Sequence, residues 1–414
     1  MNPSRAGARL IWQRPEQLLQ RDTLESVLGS SHRCWPHALP GGEASASLRG
    51  AGRLHVASVQ RTPLKGGVSG AHLERLLVQV EIEGPAGRRR EIVSLIFKRM
   101  RPDESWLMRA SGDARCREVQ LWQQGLLADA PRALCVPVLA AAYDEAAREG
   151  ALLLGDMTHW LGALEDCFKL PPPGQWKQYL DHLARLHARY WQDARLKDER
   201  FALASVEQTL LMLAPATIQA QLAAGDAHPY LPVSRSGWET FFAYGPAAAL
   251  SKVQRVIDVP AALLADAALA PATLLHGDAW PPNMGMLPGE RGLRGCRAGS
   301  RTILIDWALA TAGPASFDPF WLLFAWHAVD TRLALAYYRE RLSQHLARRG
   351  VSLSTAEWLL LVDLGVVRTV MTCGESMGQD ILFARSAARR ARAIAALAWW
   401  LGWASRAIER RGWS

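Results

Sequence analysis

Two short segments of the chain place carboxylate and amide side chains directly after apolar runs. Asp278 follows residues 274–277, and Asn283 lies five residues further on. Asp306 follows the run 303–305. An aspartate can accept the proton of a hydroxyl group, and aspartate and asparagine oxygens are ligands that Mg²⁺ accepts. This order is that of a phosphoryl-transfer loop, with Asp278 as the catalytic base and Asn283 and Asp306 as magnesium ligands.

These residues resemble the signature of the aminoglycoside phosphotransferase and choline kinase-like family, relatives of the protein kinases. The family's loop reads His-Gly-Asp, four further residues and Asn, and an Ile-Asp-Trp segment follows it. Residues 276–283 and 305–307 match these two parts. The resemblance implies a protein kinase-like fold and transfer of the γ-phosphoryl group of ATP, with Mg²⁺, to a hydroxyl group of a small molecule.

The resemblance also implies two residues that hold the site together. The family places Gly-Pro and then Asp after the metal-binding aspartate, and Gly313-Pro314 followed by Asp318 stands at that place. Asp318 is therefore expected to brace the site without touching ATP. In the same way, His276 is expected to hold the catalytic loop by hydrogen bonding.

Lys98 and Glu118 are the residues that the resemblance implies for gripping ATP. Lys98 ends the apolar run 93–98 on the third predicted strand of the small lobe, and Glu118 lies in the predicted helix 115–125. An ion pair between them would orient the lysine. The alternative is a strand-end lysine that reaches for water and an exposed helical acid.

Two further segments are expected to contact the nucleotide. Gly66 and Gly67 lie in a glycine-rich loop, residues 65–71, that would cover it, although the loop lacks a G-x-G-x-x-G pattern. Asp156 and Met157 stand where the family has its hinge, so their backbone is expected to meet adenine.

The elements around these motifs divide into two kinds. Apolar runs at 54–59, 76–82 and 92–97 favour an antiparallel meander, followed by the helix 115–125 and short strands within 133–156. Beyond residue 173, and again over 320–413, leucine and alanine recur at helical spacing. The fold class is therefore α+β, with a small β-rich N-lobe and a large, mainly helical C-lobe.

Three regions follow from this division. We expect an N-terminal extension of unassigned structure (1–50), a nucleotide-binding N-lobe (51–157) and a helical catalytic and substrate-binding C-lobe (158–414). The arginine- and glycine-rich insertion 288–301 is expected to form the tip of a surface hairpin.

Composition excludes several classes of protein. With 414 residues, 49% of them hydrophobic and 21% charged, the chain should be globular, and no apolar stretch predicts an export signal or a membrane span. Six scattered cysteines without C-x-x-C predict neither zinc nor disulfides, so the cytoplasm is the expected location. The net charge of +9 is spread along the chain, which predicts no nucleic-acid partner. The sequence leaves the oligomeric state open.

The sequence also bears on other functions. Residues 374–378 fit the G-x-S-x-G nucleophile elbow of the α/β-hydrolases. In that fold the catalytic histidine follows the serine in the chain, whereas the last histidine here, His345, precedes these residues, so the triad cannot be completed. No P-loop occurs, and residues 306–308 read Asp-Trp-Ala where a protein kinase has Asp-Phe-Gly. Two alternatives stay open. One is a kinase-shaped, non-catalytic nucleotide-binding or regulatory protein, and the other is an aminoglycoside O-phosphotransferase.

The charge of the last helices bears on the acceptor. Residues 320–414 contain seven acids and 13 arginines, whereas a site for polycationic aminoglycosides should be lined with carboxylates. This predicts a neutral or weakly basic acceptor, such as a sugar, a nucleoside or an antibiotic-like natural product. Glu375 and Asp380 are the residues that could still form a local acidic pocket.

Overall fold

The structure is a computed structural model that describes residues 11–29, 53–64, 70–84, 87–162, 171, 174–289, 299–326 and 329–413. Within these ranges no helix is both long enough and apolar enough to span a lipid bilayer. The described residues form a β-rich small lobe and a larger, mainly helical lobe, so the predicted α+β class is confirmed.

The small lobe is built on a six-stranded sheet in the order β1-β6-β7-β4-β3-β2. Its strands are β1 (Ile11–Trp12), β2 (Arg53–Leu64), β3 (His72–Gly84), β4 (Gly87–Met100), β6 (Val138–Asp144) and β7 (Glu149–Gly155). The short strand β5 (Leu134–Cys135) precedes β6 in the chain and belongs to a different sheet. The strands β2, β3 and β4 pair in antiparallel fashion, as the sequence predicts. Alternate residues of β3, including Val78 and Val80, are buried, which is the pattern of a sheet with one covered face.

The described residues of this lobe include the α-helices α1 (Arg21–Gly29), α2 (Trp106–Ala110) and α3 (Arg117–Gln123). Part of the N-terminal segment that the sequence left unassigned is placed here. The strand β1 pairs in parallel with β6, and α1 buries Leu24 and Leu28 in the core of the sheet. Residues 11–29 therefore pack against the small lobe.

The large lobe is mainly helical. Its first helices are α4 (Gln175–Arg189), α5 (Val206–Leu211), α6 (Pro215–Ala223), α7 (Tyr230–Tyr244), α8 (Ala247–Asp258) and α9 (Ala261–Leu269). Its last helices are α10 (Phe317–Ala325), α11 (Thr331–Ala347), α12 (Thr355–Leu382) and α13 (Ala387–Arg411). Many of their apolar residues form one core cluster with residues of α3, β6 and β7.

Four short strands interrupt the helices and carry the predicted site segments. They are β8 (Ala272–Leu275), β9 (Met284–Leu287), β10 (Arg301–Leu304) and β11 (Thr311–Pro314). The strand β8 pairs with β11, whereas β10 pairs with β9 and, in parallel, with β5. The predicted hairpin between β9 and β10 has antiparallel arms, and its tip, residues 290–298, lies outside the described residues.

The G-x-S-x-G segment lies in the middle of α12 and serves packing. A Cβ atom on Gly378 would lie 1.8 Å from the carbonyl oxygen of Gly237 on α7, and one on Gly374 would lie 2.3 Å from the ring of Trp238. Because these glycines have no side chain, α7 and α12 approach each other closely. A nucleophile elbow needs a sharp strand-to-helix turn, which this continuous helix does not provide.

This contact predicts the effect of adding one methyl group. Gly378→Ala should lower the free energy of unfolding by about 2 kcal/mol, because the new Cβ forces two helix backbones apart. Gly402→Ala is the matched control, since its Cβ would meet only the mobile end of Arg406 at 3.5 Å. That variant should be stabilised by up to about 1 kcal/mol through helix propensity. Urea unfolding of both variants measures this, and equal stabilities would contradict the packing role.

Candidate active site

The catalytic loop starts where β8 ends, and it is pressed against the segment that follows Asp306. Gly277 has φ +84°, and a Cβ atom there would lie 2.0 Å from the carbonyl oxygen of Leu309. Only glycine combines this backbone conformation with this close approach. The His-Gly-Asp order therefore brings the loop of Asp278 and the segment of Asp306 into contact.

Asp318, on α10, holds the catalytic loop through hydrogen bonds to its backbone. Its carboxylate accepts hydrogen bonds from the backbone N–H groups of His276 at 2.8 Å and Gly277 at 3.0 Å. The ring of His187 lies 3.2 Å away on the same carboxylate. Burial alone would raise the pKa of Asp318, but these hydrogen bonds and the neighbouring histidines hold it below its usual value. A buried, ionised carboxylate thus fixes two successive amides of the loop.

His276 links the two segments of the site. Its Nε2 lies 2.9 Å from the carbonyl oxygen of Ile305, and its Nδ1 accepts from the backbone N–H of Asp278 at 3.3 Å. A carbonyl partner on one side and an N–H partner on the other correspond to the neutral ring with its proton on Nε2. Burial lowers the pKa of His276, in keeping with that neutral form. The ring also packs against Trp307, with 4.7 Å between centroids.

Asp278 and Asn283 are in direct contact. The amide nitrogen of Asn283 donates to Oδ2 of Asp278 at 2.8 Å and to its carbonyl oxygen at 3.2 Å. Burial and the charge of Asp306 raise the pKa of Asp278 to about 7, although Arg368 and Asn283 act in the opposite direction. With its amide nitrogen turned to Asp278, Asn283 has its side-chain oxygen available as the atom for a metal.

Lys98, near the end of β4, is buried between two acids. Its Nζ lies 2.6 Å from Oε2 of Glu118 on α3 and 2.8 Å from Oδ1 of Asp306. Burial would lower the pKa of Lys98, but the charges of Asp306 and Glu118 outweigh it and hold the ammonium protonated. Burial raises the pKa of Glu118, whereas Lys98 holds that of Asp306 below its usual value. Lys98 thus joins β4, α3 and the segment of Asp306 at one point.

Asp306 has a backbone conformation that fits a functional position. Its φ is +62°, in the left-handed region that residues with side chains seldom adopt. Such strain persists where surrounding contacts determine the conformation, and it clusters at functional sites. Its side chain is 30% exposed, in contrast to that of Glu118 at 1%, so it can reach a ligand from outside the protein.

The predicted hinge is tied to the sheet through Asp156. Its carboxylate accepts from Ser94 Oγ at 2.7 Å, from Arg75 Nε at 2.9 Å and from the backbone N–H of Thr158 at 3.0 Å. Met157 is buried beside it. Gly66 and Gly67 lie outside the described residues, but Ala71, the last residue of that loop, lines a cavity next to Lys98.

Two buried arginines contact the site, and sequence reasoning did not single them out. Arg368, on α12, donates to the carbonyl oxygens of Gly277 at 3.2 Å and Phe317 at 3.3 Å. Arg117 precedes Glu118 and donates to three other carbonyl oxygens. Backbone carbonyls carry no residue-type signal, so no motif could have revealed these partners.

The donor set fits a hard cation that is bound mainly by phosphate. Among the described residues there is no group of three or more histidine, cysteine, aspartate or glutamate side chains that could hold a metal. Asn283 supplies one amide and Asp306 one carboxylate. The backbone N–H of Ile305, the residue before Asp306, donates to the carbonyl oxygen of Asn283 at 3.1 Å, and this bond keeps Asn283 and Asp306 adjacent. Mg²⁺ is commonly held by one or two such groups together with substrate phosphates and water.

A model of the phosphotransferase enzyme family APH matches residues 237–353, the part that contains Asp278, Asn283, Asp306 and Asp318. The predicted resemblance to these phosphotransferases is confirmed. No curated protein matches the chain in sequence.

Several solved structures are similar to the chain at low identity. A candidate aminoglycoside phosphotransferase from Ralstonia eutropha JMP134 is 12% identical, with 88% of this chain and 97% of that chain covered and a TM-score of 0.46. A microcompartment-associated aminopropanol kinase is 16% identical (90% and 98% covered, TM-score 0.43). A choline/ethanolamine kinase family protein from Mesorhizobium loti is 14% identical (91% and 98% covered, TM-score 0.40).

The contacts of Asp318 predict a stability effect that does not depend on the reaction. Asp318→Asn should lower the free energy of unfolding by about 2 kcal/mol or more, because an amide NH₂ would face a buried backbone N–H. Asp330→Asn is the control: Asp330 also accepts from two backbone N–H groups, at 2.9 and 3.0 Å, but with a single, exposed oxygen that asparagine retains. Thermal unfolding compares the two, and similar small losses would contradict the bracing role of Asp318.

Proposed function

We propose that this protein is an ATP-dependent small-molecule kinase, which transfers the γ-phosphoryl group of Mg·ATP to a hydroxyl group. The observation that carries the proposal is the convergence of Lys98, Glu118 and Asp306 beside the loop of Asp278 and Asn283. Phosphoryl transfer depends mainly on positioning and charge neutralisation, and this arrangement offers both.

The nucleotide would be held from the small lobe. Lys98, oriented by Glu118, binds the phosphates, and the backbone at Asp156 and Met157 contacts adenine. The glycine-rich loop with Gly66 and Gly67 covers the nucleotide. Asn283 and Asp306 hold Mg²⁺, which neutralises charge on the phosphates when it is bound. His276 and Asp318 keep the loop and the Asp306 segment in register, without touching ATP.

Asp278 would act on the acceptor. As the acceptor hydroxyl forms its bond to the γ-phosphorus, the bond from that phosphorus to the leaving ADP oxygen breaks, and the hydroxyl proton passes to the Asp278 carboxylate. Asn283 orients this carboxylate through its 2.8 Å hydrogen bond. Cys116 and Cys373 are buried free thiols, which suits the cytoplasmic location that we propose.

The acids of the last helices favour a neutral or weakly basic acceptor. Asp363 is paired with Arg410 and Arg411, and Glu409 is bonded to Lys252. Glu375 accepts from Tyr230 at 2.8 Å, from Ser376 at 2.6 Å and from Gln379, and burial raises its pKa to about 7. These three carboxylates are engaged within the protein, so they do not contribute to the acidic wall that a polycation requires.

An acceptor screen tests the proposal. Phosphorylation would be followed by mass spectrometry with sugars, nucleosides, macrolides and kanamycin-type aminoglycosides as acceptors. We expect transfer to a neutral or weakly basic compound. Efficient transfer to the polycations alone would identify an aminoglycoside O-phosphotransferase, and Mg·ATP binding without transfer to any acceptor would favour a regulatory nucleotide-binding protein.

Asp278→Ala should abolish transfer to the acceptor found in this screen while leaving Mg·ATP binding nearly unchanged. The reason is that the base touches the acceptor hydroxyl and does not touch the nucleotide. Turnover and nucleotide affinity are measured on the same preparation. Near wild-type turnover would show that Asp278 is not the base.

Asp306→Ala should weaken ATP binding in the presence of Mg²⁺ but should leave adenosine binding unchanged, because this carboxylate reaches the phosphates through the metal. Calorimetric titration with and without Mg²⁺ checks the difference. Equal losses for ATP and adenosine would point to misfolding or to another role for Asp306.

A further inference from the structure

Arg117 connects the two lobes directly behind the Lys98 ion pairs. It is the first residue of α3 and stands immediately before Glu118, with a side chain that is 1% exposed. Its Nη1 donates to the carbonyl oxygen of Ala308, its Nε to that of Ala202 at 2.6 Å, and its Nη2 to that of Ser111 at 3.1 Å. Ala202 and Ala308 belong to the helical lobe, so one guanidinium group joins α3 to two of its segments.

The contact from Arg117 to Ala308 lies close to Asp306 in the chain. Ala308 lies two residues after Asp306, in the short helical turn of residues 307–309 that begins directly after Asp306. Lys98 joins Glu118 to Asp306 through side chains, and Arg117, the neighbour of Glu118 on the same helix, donates from its guanidinium group to the backbone carbonyl of Ala308. The helix and the Asp306 segment are thus connected twice, once inside the site and once beside it.

We propose that Arg117 is a positioning residue for nucleotide binding: it keeps Glu118 and the Asp306 segment at their mutual distance while Lys98 and Asp306 bind Mg·ATP. This inference rests on the proposed function. With Mg·ATP bound, Lys98 would turn to phosphate and Asp306 to the metal, and their direct contact at 2.8 Å would loosen because both groups would have new partners. The contact from Arg117 to Ala308 uses a carbonyl oxygen that the nucleotide does not need, and it persists.

The surroundings of Arg117 favour a fixed guanidinium group. The carboxylate of Asp113 accepts from the backbone N–H of Arg117 at 2.8 and 2.9 Å and so fixes the start of α3. The three carbonyl partners lie in three separate segments, which a planar group with five N–H donors can satisfy together. A lysine has one ammonium group and cannot span the same three carbonyls.

A double-mutant cycle tests this role through nucleotide affinity. Arg117→Lys and Glu118→Gln are made singly and together, and binding of a non-hydrolysable Mg·ATP analogue is measured by calorimetry. If Arg117 acts through Glu118, Arg117→Lys should weaken binding about tenfold in the wild-type background and less than about twofold in the Glu118→Gln background. Arg411→Lys, which alters an arginine paired with Asp363 in the helical lobe, should leave affinity unchanged.

Other outcomes separate this inference from the proposed function. Equal losses in both backgrounds, or no loss, would overturn the positioning role while the kinase proposal stands. A wild-type protein that fails to bind the Mg·ATP analogue would overturn the proposed function, and the positioning role with it. Should Arg117→Lys fail to fold, Arg117→Gln, which keeps two N–H donors, takes its place in the cycle with the same expected pattern.

Discussion

The buried ammonium group of Lys98 is the constraint on which the site depends. A charge removed from water is tolerated only when it is paired, and removal of one partner of such a pair is strongly destabilising. Here the partners come from α3 and from the segment after β10, so the ion pairs require the sheet, the helix and the metal-binding segment to meet at one point. The left-handed backbone of Asp306 and the close approach of Gly277 to Leu309 are the local consequences of that meeting.

A second layer of buried polar groups makes this arrangement rigid. Asp318 fixes the amides of the catalytic loop, and His276 ties the same loop to Ile305. Arg368 and Arg117 donate to backbone carbonyls on either side. These hydrogen bonds lie in a buried environment, where they are stronger than in water. The reacting groups can therefore be placed in advance of the substrate, which is the main requirement of phosphoryl transfer.

Much of this arrangement could be predicted from the sequence because its signals are local. Alternating apolar residues marked β3, and the spacing of Asp278, Asn283 and Asp306 marked the loops after β8 and β10. The partners of Arg117 could not be predicted, because they are carbonyl groups that any residue supplies. Residues 11–29 were missed because β1 has only two residues and forms through pairing with β6. The G-x-S-x-G segment shows the reverse problem, since glycines four residues apart also describe a close helix contact.

The most direct test of the central claim is a crystal structure of the protein with Mg²⁺ and a non-hydrolysable ATP analogue. We predict that Lys98 keeps its contact with Glu118 and binds the phosphates, while Asp306 and the side-chain oxygen of Asn283 bind Mg²⁺ and Asp278 faces the γ-phosphoryl group from the acceptor side. A nucleotide bound elsewhere, or a metal held without Asn283 and Asp306, would contradict the account.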